Sequence, residues 1–283
     1  MRVWMWLLKL VGELPAVLAG MAIAVVAAGM LPSGWASLAA WLTGLVLACW
    51  SHSRAGERWV ARLVLRARPP TPTEHGLLAG PITTLCGQRL GPPAVDVLVV
   101  DHRVLAPEGF GRRTVLVPAE LITRYRQGWL TEPEVTALLV GAVGFLRCGV
   151  TRADGPATVL GLPCLPIRML AASIGAATSG MVLIRFAWRA RVVVLAVAVW
   201  RAVTVYGLPW LAVGVGLLGF LSYAAPVAAR RALRMMHLAG DDFTVEAGHQ
   251  PGLARFLTRF GDDFSVERLH RITPVRPQLS VVH

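Results

Sequence analysis

His237 and Asp241 stand four residues apart in a stretch of helical character, residues 229–243. That spacing puts both on one helix face. An imidazole and a carboxylate so placed could form half of a metal site, with Cys148 or His102 as a further ligand. The plainer reading is that His237 hydrogen-bonds Asp241, while Asp241 caps a helix or pairs with one of the many arginines. His52, His75, His249, His270 and His283 show no ligand spacing. The four cysteines, Cys49, Cys86, Cys148 and Cys164, contain no C-x-x-C pair, which excludes a zinc ribbon or redox motif. They read as free thiols in a reducing compartment. Asp241-Asp242 and Asp262-Asp263 lack the regular oxygen spacing of a calcium loop and suit capping or ion pairing. Serine-nucleophile motifs and phosphate-cradling glycine loops are absent. Gly214-Val215-Gly216 lies in an apolar run and suits helix packing, as Met235-Met236 suits core or interface packing.

The elements that must position these residues begin in lipid. Only 16% of the 283 residues are charged, against about 25% in soluble domains. The net charge of +12 comes almost wholly from arginine, with Lys9 the only lysine. Membrane proteins concentrate arginine in cytoplasmic loops. Without a zinc knuckle, RNA-recognition signature or basic-aromatic repeat, nucleic acid is not expected as a partner. Residues 1–9 resemble the start of a signal peptide but lack a small-residue cleavage site, so they read as a retained anchor. No charge occurs from Leu14 to Trp50. That run is nearly twice the roughly 20 residues of one crossing, and Leu31-Pro32-Ser33-Gly34 breaks it. The pattern predicts a hairpin of spans at 14–30 and 35–50. Arg54, Arg58, Arg62, Arg66 and Arg68 follow it, which places both hairpin ends in the cytoplasm.

A second apolar region, 169–229, repeats this order. Residues 169–184 are short for a span and suit packing on protein or lying in the interface. Arg185, Arg189 and Arg191 follow, then apolar runs at 192–206 and 208–228 around Gly207-Leu208-Pro209, then Arg230, Arg231 and Arg234. Arg201 interrupts the first run and is expected to snorkel rather than to mark a polar pathway. The expected architecture is an α-helical membrane protein with about four transmembrane helices and both termini cytoplasmic. It divides into a transmembrane hairpin (1–51), a first cytoplasmic part (52–168), the second apolar region (169–229) and a second cytoplasmic part (230–283).

The cytoplasmic parts suffice for one small core. Residues 68–73 read as a linker, 76–90 as a short helix and 95–100 as a strand. Residues 108–111 read as a turn, 114–117 as a second strand and 118–127 as a helix. Thr131 and Glu134 then form a capping box around Pro133. The helix that follows, to Gly149, is apolar nearly all round and must be buried. Gly141 and Gly144 cost it about 1 kcal/mol each relative to alanine, so something should approach closely there.

This order resembles the HtpX-type membrane zinc metallopeptidases: strand, turn, strand, short helix, then an L-T-x-x-E capped helix ending Gly-Phe-Leu-Arg-Cys-Gly. The resemblance extends through Ala229–Phe243, Gly248, Gly252–Leu257 and Ile272-Thr273-Pro274, and so covers most of the chain. It implies an α+β metallopeptidase-like (gluzincin) cytoplasmic domain. In that family the buried helix carries H-E-x-x-H, which binds zinc and polarises its water, and a later E-x-x-A-D helix supplies the third ligand. Here Gly141 stands at the first histidine, Ala142 at the general base, Phe145 at the second histidine and His237 at the ligand glutamate; only Asp241 is kept. Where the family grips extended substrate with Asn-Ala-Phe, this chain has Val104-Leu105-Ala106-Pro107, and Pro107 removes a backbone donor.

The resemblance therefore implies a pseudopeptidase of the bacterial cytoplasmic (inner) membrane. Gly141, Ala142, Phe145 and His237 would line its vestigial cleft. Its expected partners are the lipid bilayer and another membrane protein or polypeptide segment, and no cofactor is expected. Two alternatives stand beside it. One is a metallopeptidase with a rebuilt zinc site on His237, Asp241 and Cys148. The other is an unrelated membrane transport or scaffold subunit, with Arg201 its lead feature.

Overall fold

A computed structural model describes residues 2–29, 34–92, 95–101, 105–166, 169–170, 173, 182–205, 207–261 and 263–273. Most of these are helical, with one small three-stranded sheet. The chain divides into two units. One comprises residues 3–48 and 157–233, the other residues 49–156 and 234–283.

The first unit is built from long apolar helices. α1 (Arg2–Gly29) starts well before the expected span, because Lys9 and Glu13 are good helix formers and nothing ahead of them stops it. α2 is Gly34–Trp50. α8 is Val182–Thr204, and α9 (Pro209–Glu246) leads on into the second unit. Of the four crossings expected, two are matched by length and composition. Val3–Ala27, 25 residues long, contains an 18-residue stretch of mean hydropathy 2.1, and the 35-residue Ala212–Glu246 contains one of 1.7. α2 and the apolar part of α8, Val192–Thr204, are shorter. Val3, Val26, Val46, Val194, Val213 and Phe220 are exposed on these helices, a surface suited to lipid and not to water. Exposed tryptophans sit near helix ends at Trp4, Trp35, Trp200 and Trp210, as in interfacial aromatic belts. Arg201 is likewise exposed, near the end of α8. Residues 171–172 and 174–181, most of the ambiguous 169–184 stretch, lie outside the described residues, as do His102 and Pro274.

The second unit contains α3 (Arg54–Val64), α4 (Pro72–Gly87), the strands β1 (Asp96–Val100), β2 (Glu108–Phe110) and β3 (Thr114–Pro118), and α5 (Ala119–Arg126). It continues with α6 (Glu132–Cys148), a 3₁₀ turn at Val150–Ala153, the last turns of α9, α10 (Gln250–Phe260) and α11 (Asp263–Ile272). α7 (Asp154–Gly161) begins here, and the chain passes to the first unit after Pro156. The sheet order is β1-β3-β2, with β1 parallel and β2 antiparallel to β3.

Two expectations need correction. Residues 108–111 are not only a turn: Glu108–Phe110 pair with Leu116–Thr114 as an edge strand, and the reversal tightens onto Gly111 at φ +65°. Residues 68–73 are not a free linker. Arg68 exchanges backbone hydrogen bonds with Val99 at 2.7 and 2.8 Å, and α4 starts at Pro72 on a Thr71/Glu74 capping box. The T-x-x-E signal there is the same one that was legible before α6.

α6 is the axis of the core. Its start follows the expected capping box, with Glu134 accepting from Thr131 N (2.6 Å) and Thr131 Oγ1 (2.8 Å). Gly149 ends it at φ +73°. Val135, Leu139, Val140 and Val143 are fully buried, packed with Leu78 of α4, Val115 and Val117 of β3, and Leu253 of α10.

Candidate functional site

The close approach expected at Gly141 and Gly144 comes from α9. A methyl group on Gly141 would meet Thr244 Oγ1 at 3.4 Å and Gly240 O at 3.9 Å. One on Gly144 would meet Phe243 Cβ at 3.0 Å and Gly240 Cα at 3.3 Å. From the other side, a methyl on Gly240 would collide with Phe145 Cε1 and stand 3.0 Å from Gly141 O. Three glycines thus let the two backbones close on each other. Thr244, fully buried, fills the next position and donates to Gly240 O at 2.8 Å.

Gly141, Phe145 and His237 are therefore brought together at one helix crossing. The Phe145 and His237 rings meet edge-to-face, with centroids 5.7 Å apart at 82°. Ala142 is buried on the side of the sheet, its carbonyl lying against Gly109 of β2. The rebuilt metal set is not assembled. Among the described residues, no three His, Cys, Asp or Glu side chains converge as a cation site would require. Asp241 instead forms a bidentate pair with Arg268 of α11, both bonds 2.7 Å, with the two side chains 3% and 12% exposed. This is the arginine partner that the plainer reading allowed. Cys148 is half-buried in the last turn of α6, and all four cysteines are free thiols.

A different polar constellation surrounds the far end of α6. Glu57 of α3 is 3% exposed, and its carboxylate accepts from the backbone N–H groups of Arg112 (3.0 Å), Arg113 (3.1 Å) and Thr114 (2.8 Å). Gly111 must be glycine here, since a Cβ would collide with the Glu57 carboxylate. Thr151 Oγ1 donates to Gly111 O at 2.6 Å in the buried interior. The β2–β3 turn is thus tied to α3 and to the 3₁₀ turn after α6. Nearby, Asp96 accepts from both Arg54 and Arg58. The Arg54 hydrogen bonds, aided by those of Arg58, outweigh burial and hold the Asp96 carboxyl down at about 2. Two of the five arginines that follow α2 are consequently structural, and Arg68 pairs with Glu74.

The sequence reading missed Glu57 and the arginines that this turn fixes. Glu57 looked like one charge in a basic flank, and only the tertiary fold shows which backbone donors it satisfies. The signal that was available is the pairing of turn glycines with arginines, Gly111-Arg112 and Gly149 to Arg152. Comparison with family models, with curated proteins and with solved structures gives no match to this chain.

Proposed function

We propose that the chain is an integral membrane protein built on the HtpX-type peptidase plan with the peptidase chemistry removed. In this reading it is a binding or scaffolding protein of the bacterial inner membrane with its second unit in the cytoplasm. The observation that carries the reading is the closed α6–α9 crossing. What supports it is that α6 and α9 pack together, Gly141 against Gly240 and Thr244 and Phe145 against His237. They meet through glycine backbones and an aromatic ring, where a metal with its water needs open coordination positions. The one inherited carboxylate, Asp241, has both oxygens engaged by Arg268. In this reading the family's route to an activated water, a zinc-bound water beside a glutamate base, is lost. Pro107, buried beside the edge strand β2, also weakens any strand addition of extended substrate there.

The test is metal analysis and peptide cleavage by detergent-purified protein, wild type beside His237→Ala. The expected result is sub-stoichiometric zinc and no cleavage in either. One zinc per chain, with cleavage that disappears in His237→Ala, would overturn the reading.

A further inference from the structure

Arg112, Arg147 and Arg152 line one surface pocket of about 440 Å³, together with Gly91, Pro92 and Leu146. That volume lies in the range of small-ligand pockets, roughly 300–1,000 Å³. Each arginine comes from a different, separately fixed element. Arg112 sits in the β2–β3 turn held by Glu57, Arg147 in the last turn of α6, and Arg152 in the 3₁₀ turn anchored by Thr151. Among the described residues, no carboxylate side chain pairs with any of the three.

Three like charges around one cavity repel each other, so the neighbouring negative charge decides whether they need a ligand. The C-terminus of α6 contributes about half a negative charge. Glu57 contributes one more, but its oxygens are aimed at the backbone N–H groups of residues 112–114. Together these leave the pocket with an excess of about 1.5 positive charges. Arg147 also lies over the Phe243 ring, 5.1 Å from its centroid. A guanidinium supported on a ring face keeps its in-plane N–H donors for an anion.

We infer that this pocket binds a phosphate-bearing anion, held by the guanidinium groups of Arg112, Arg147 and Arg152. Guanidinium forks match phosphate oxygens in pairs. The chain passes to the apolar first unit after Pro156, four residues beyond Arg152. A phospholipid headgroup and a free phosphate share this chemistry, and the experiment separates them. The inference does not depend on the α6–α9 crossing being inert: the pocket is not lined by Gly141, Ala142, Phe145 or His237, and it meets that contact only where Arg147 lies over Phe243.

The experiment uses the full chain in detergent, as wild type, as the Arg112→Gln/Arg147→Gln/Arg152→Gln variant, as Arg152→Gln alone, and as Arg126→Gln. The last removes an exposed charge elsewhere in the same unit. Retention of phosphatidylglycerol and phosphatidylcholine is read by native mass spectrometry. Thermal stabilisation by inorganic phosphate is read against chloride at equal ionic strength. Wild type and Arg126→Gln are expected to retain one phosphatidylglycerol in preference to phosphatidylcholine, or to be stabilised by phosphate. Arg152→Gln should weaken binding several-fold and the triple variant at least ten-fold. Selective lipid retention assigns a headgroup, and stabilisation by inorganic phosphate assigns a soluble ligand; either supports the pocket. Wild type binding neither probe overturns it, as does equal binding by Arg152→Gln or by a folded triple variant.

Discussion

The middle of α6 and its C-terminal end make opposite uses of one helix. In the middle, Gly141 and Gly144 remove side chains so that α9 can close on the backbone, and the nearest polar groups, Asp241 and Thr244, are satisfied internally. At the end, Gly149 stops the helix and the chain turns so that Arg147 and Arg152 join Arg112 around open space. The region that sequence singles out for chemistry is packed shut, and the region it passes over holds unspent charge. Spacing of reactive residue types identifies where a site could have been. Whether the polar groups are already used by the fold decides whether one remains.

The sharpest way to break this contrast is to free Asp241. Arg268→Leu leaves a carboxylate that is 3% exposed without its bidentate partner. Loss of one member of a buried pair costs about 3–5 kcal/mol. The thermal midpoint in detergent should fall accordingly, and Asp241→Leu combined with Arg268→Met should recover most of the loss. If Arg268→Leu leaves the midpoint unchanged, Asp241 is not locked and the packed-shut description fails.

Next in size is Gly240→Ala. Its methyl group collides with Phe145 and crowds Gly141 O, and overpacking of this kind costs about 1–3 kcal/mol. Phe145→Leu in the same chain should relieve part of it, a non-additivity measurable by a double-mutant cycle. Full additivity would mean that Phe145 does not close the crossing.

How much of this was readable beforehand follows the range of the interactions. The Thr131/Glu134 box, the burial of α6 and the glycine approach were legible because each is a local pattern or a periodicity. β2 is silent in the sequence because three residues, one of them Gly109, carry too little alternation to announce a strand. Its pairing is set by β3. The arginine pocket was invisible because its members are separated by 35 and 5 positions and are joined only through Glu57 and Thr151. The charge-free run announces two apolar helices, α1 and α2, but not the start of α1, since Lys9 and Glu13 are compatible with both helix and flank.

A pH series probes the frame beside the pocket. The Asp96 carboxyl is held at about 2 in the folded protein, against about 3.9 when unfolded. The unfolded chain therefore binds the proton more readily at low pH. The Asp96 contribution is complete above about pH 5 and is lost as pH falls toward 2, on the order of 1–2 kcal/mol given that Arg54 and Arg58 are partly exposed. Asp96→Asn should flatten that part of the stability profile, read as the difference between wild type and variant at pH 6 and pH 3. A profile as steep in Asp96→Asn as in wild type would assign the acid sensitivity to other carboxylates.

The smallest effect tests the crossing from the side that has room. A methyl on Gly141 stands 3.4 Å from Thr244 Oγ1 and 3.9 Å from Gly240 O, which is ordinary contact. Replacing a mid-helix glycine with alanine gains about 1 kcal/mol of helix propensity, and slight crowding of the Thr244 hydroxyl takes back part of it. Gly141→Ala should therefore be neutral or stabilising by a few tenths of a kcal/mol, while Gly240→Ala, on the facing helix, destabilises. Opposite signs at two glycines of one contact are what a crossing filled asymmetrically by Phe145 produces. If Gly141→Ala also costs 1 kcal/mol or more, the helices sit closer on that side and Thr244 closes the gap as firmly as the ring does. If both substitutions are free, the crossing opens readily and the packed-shut description fails.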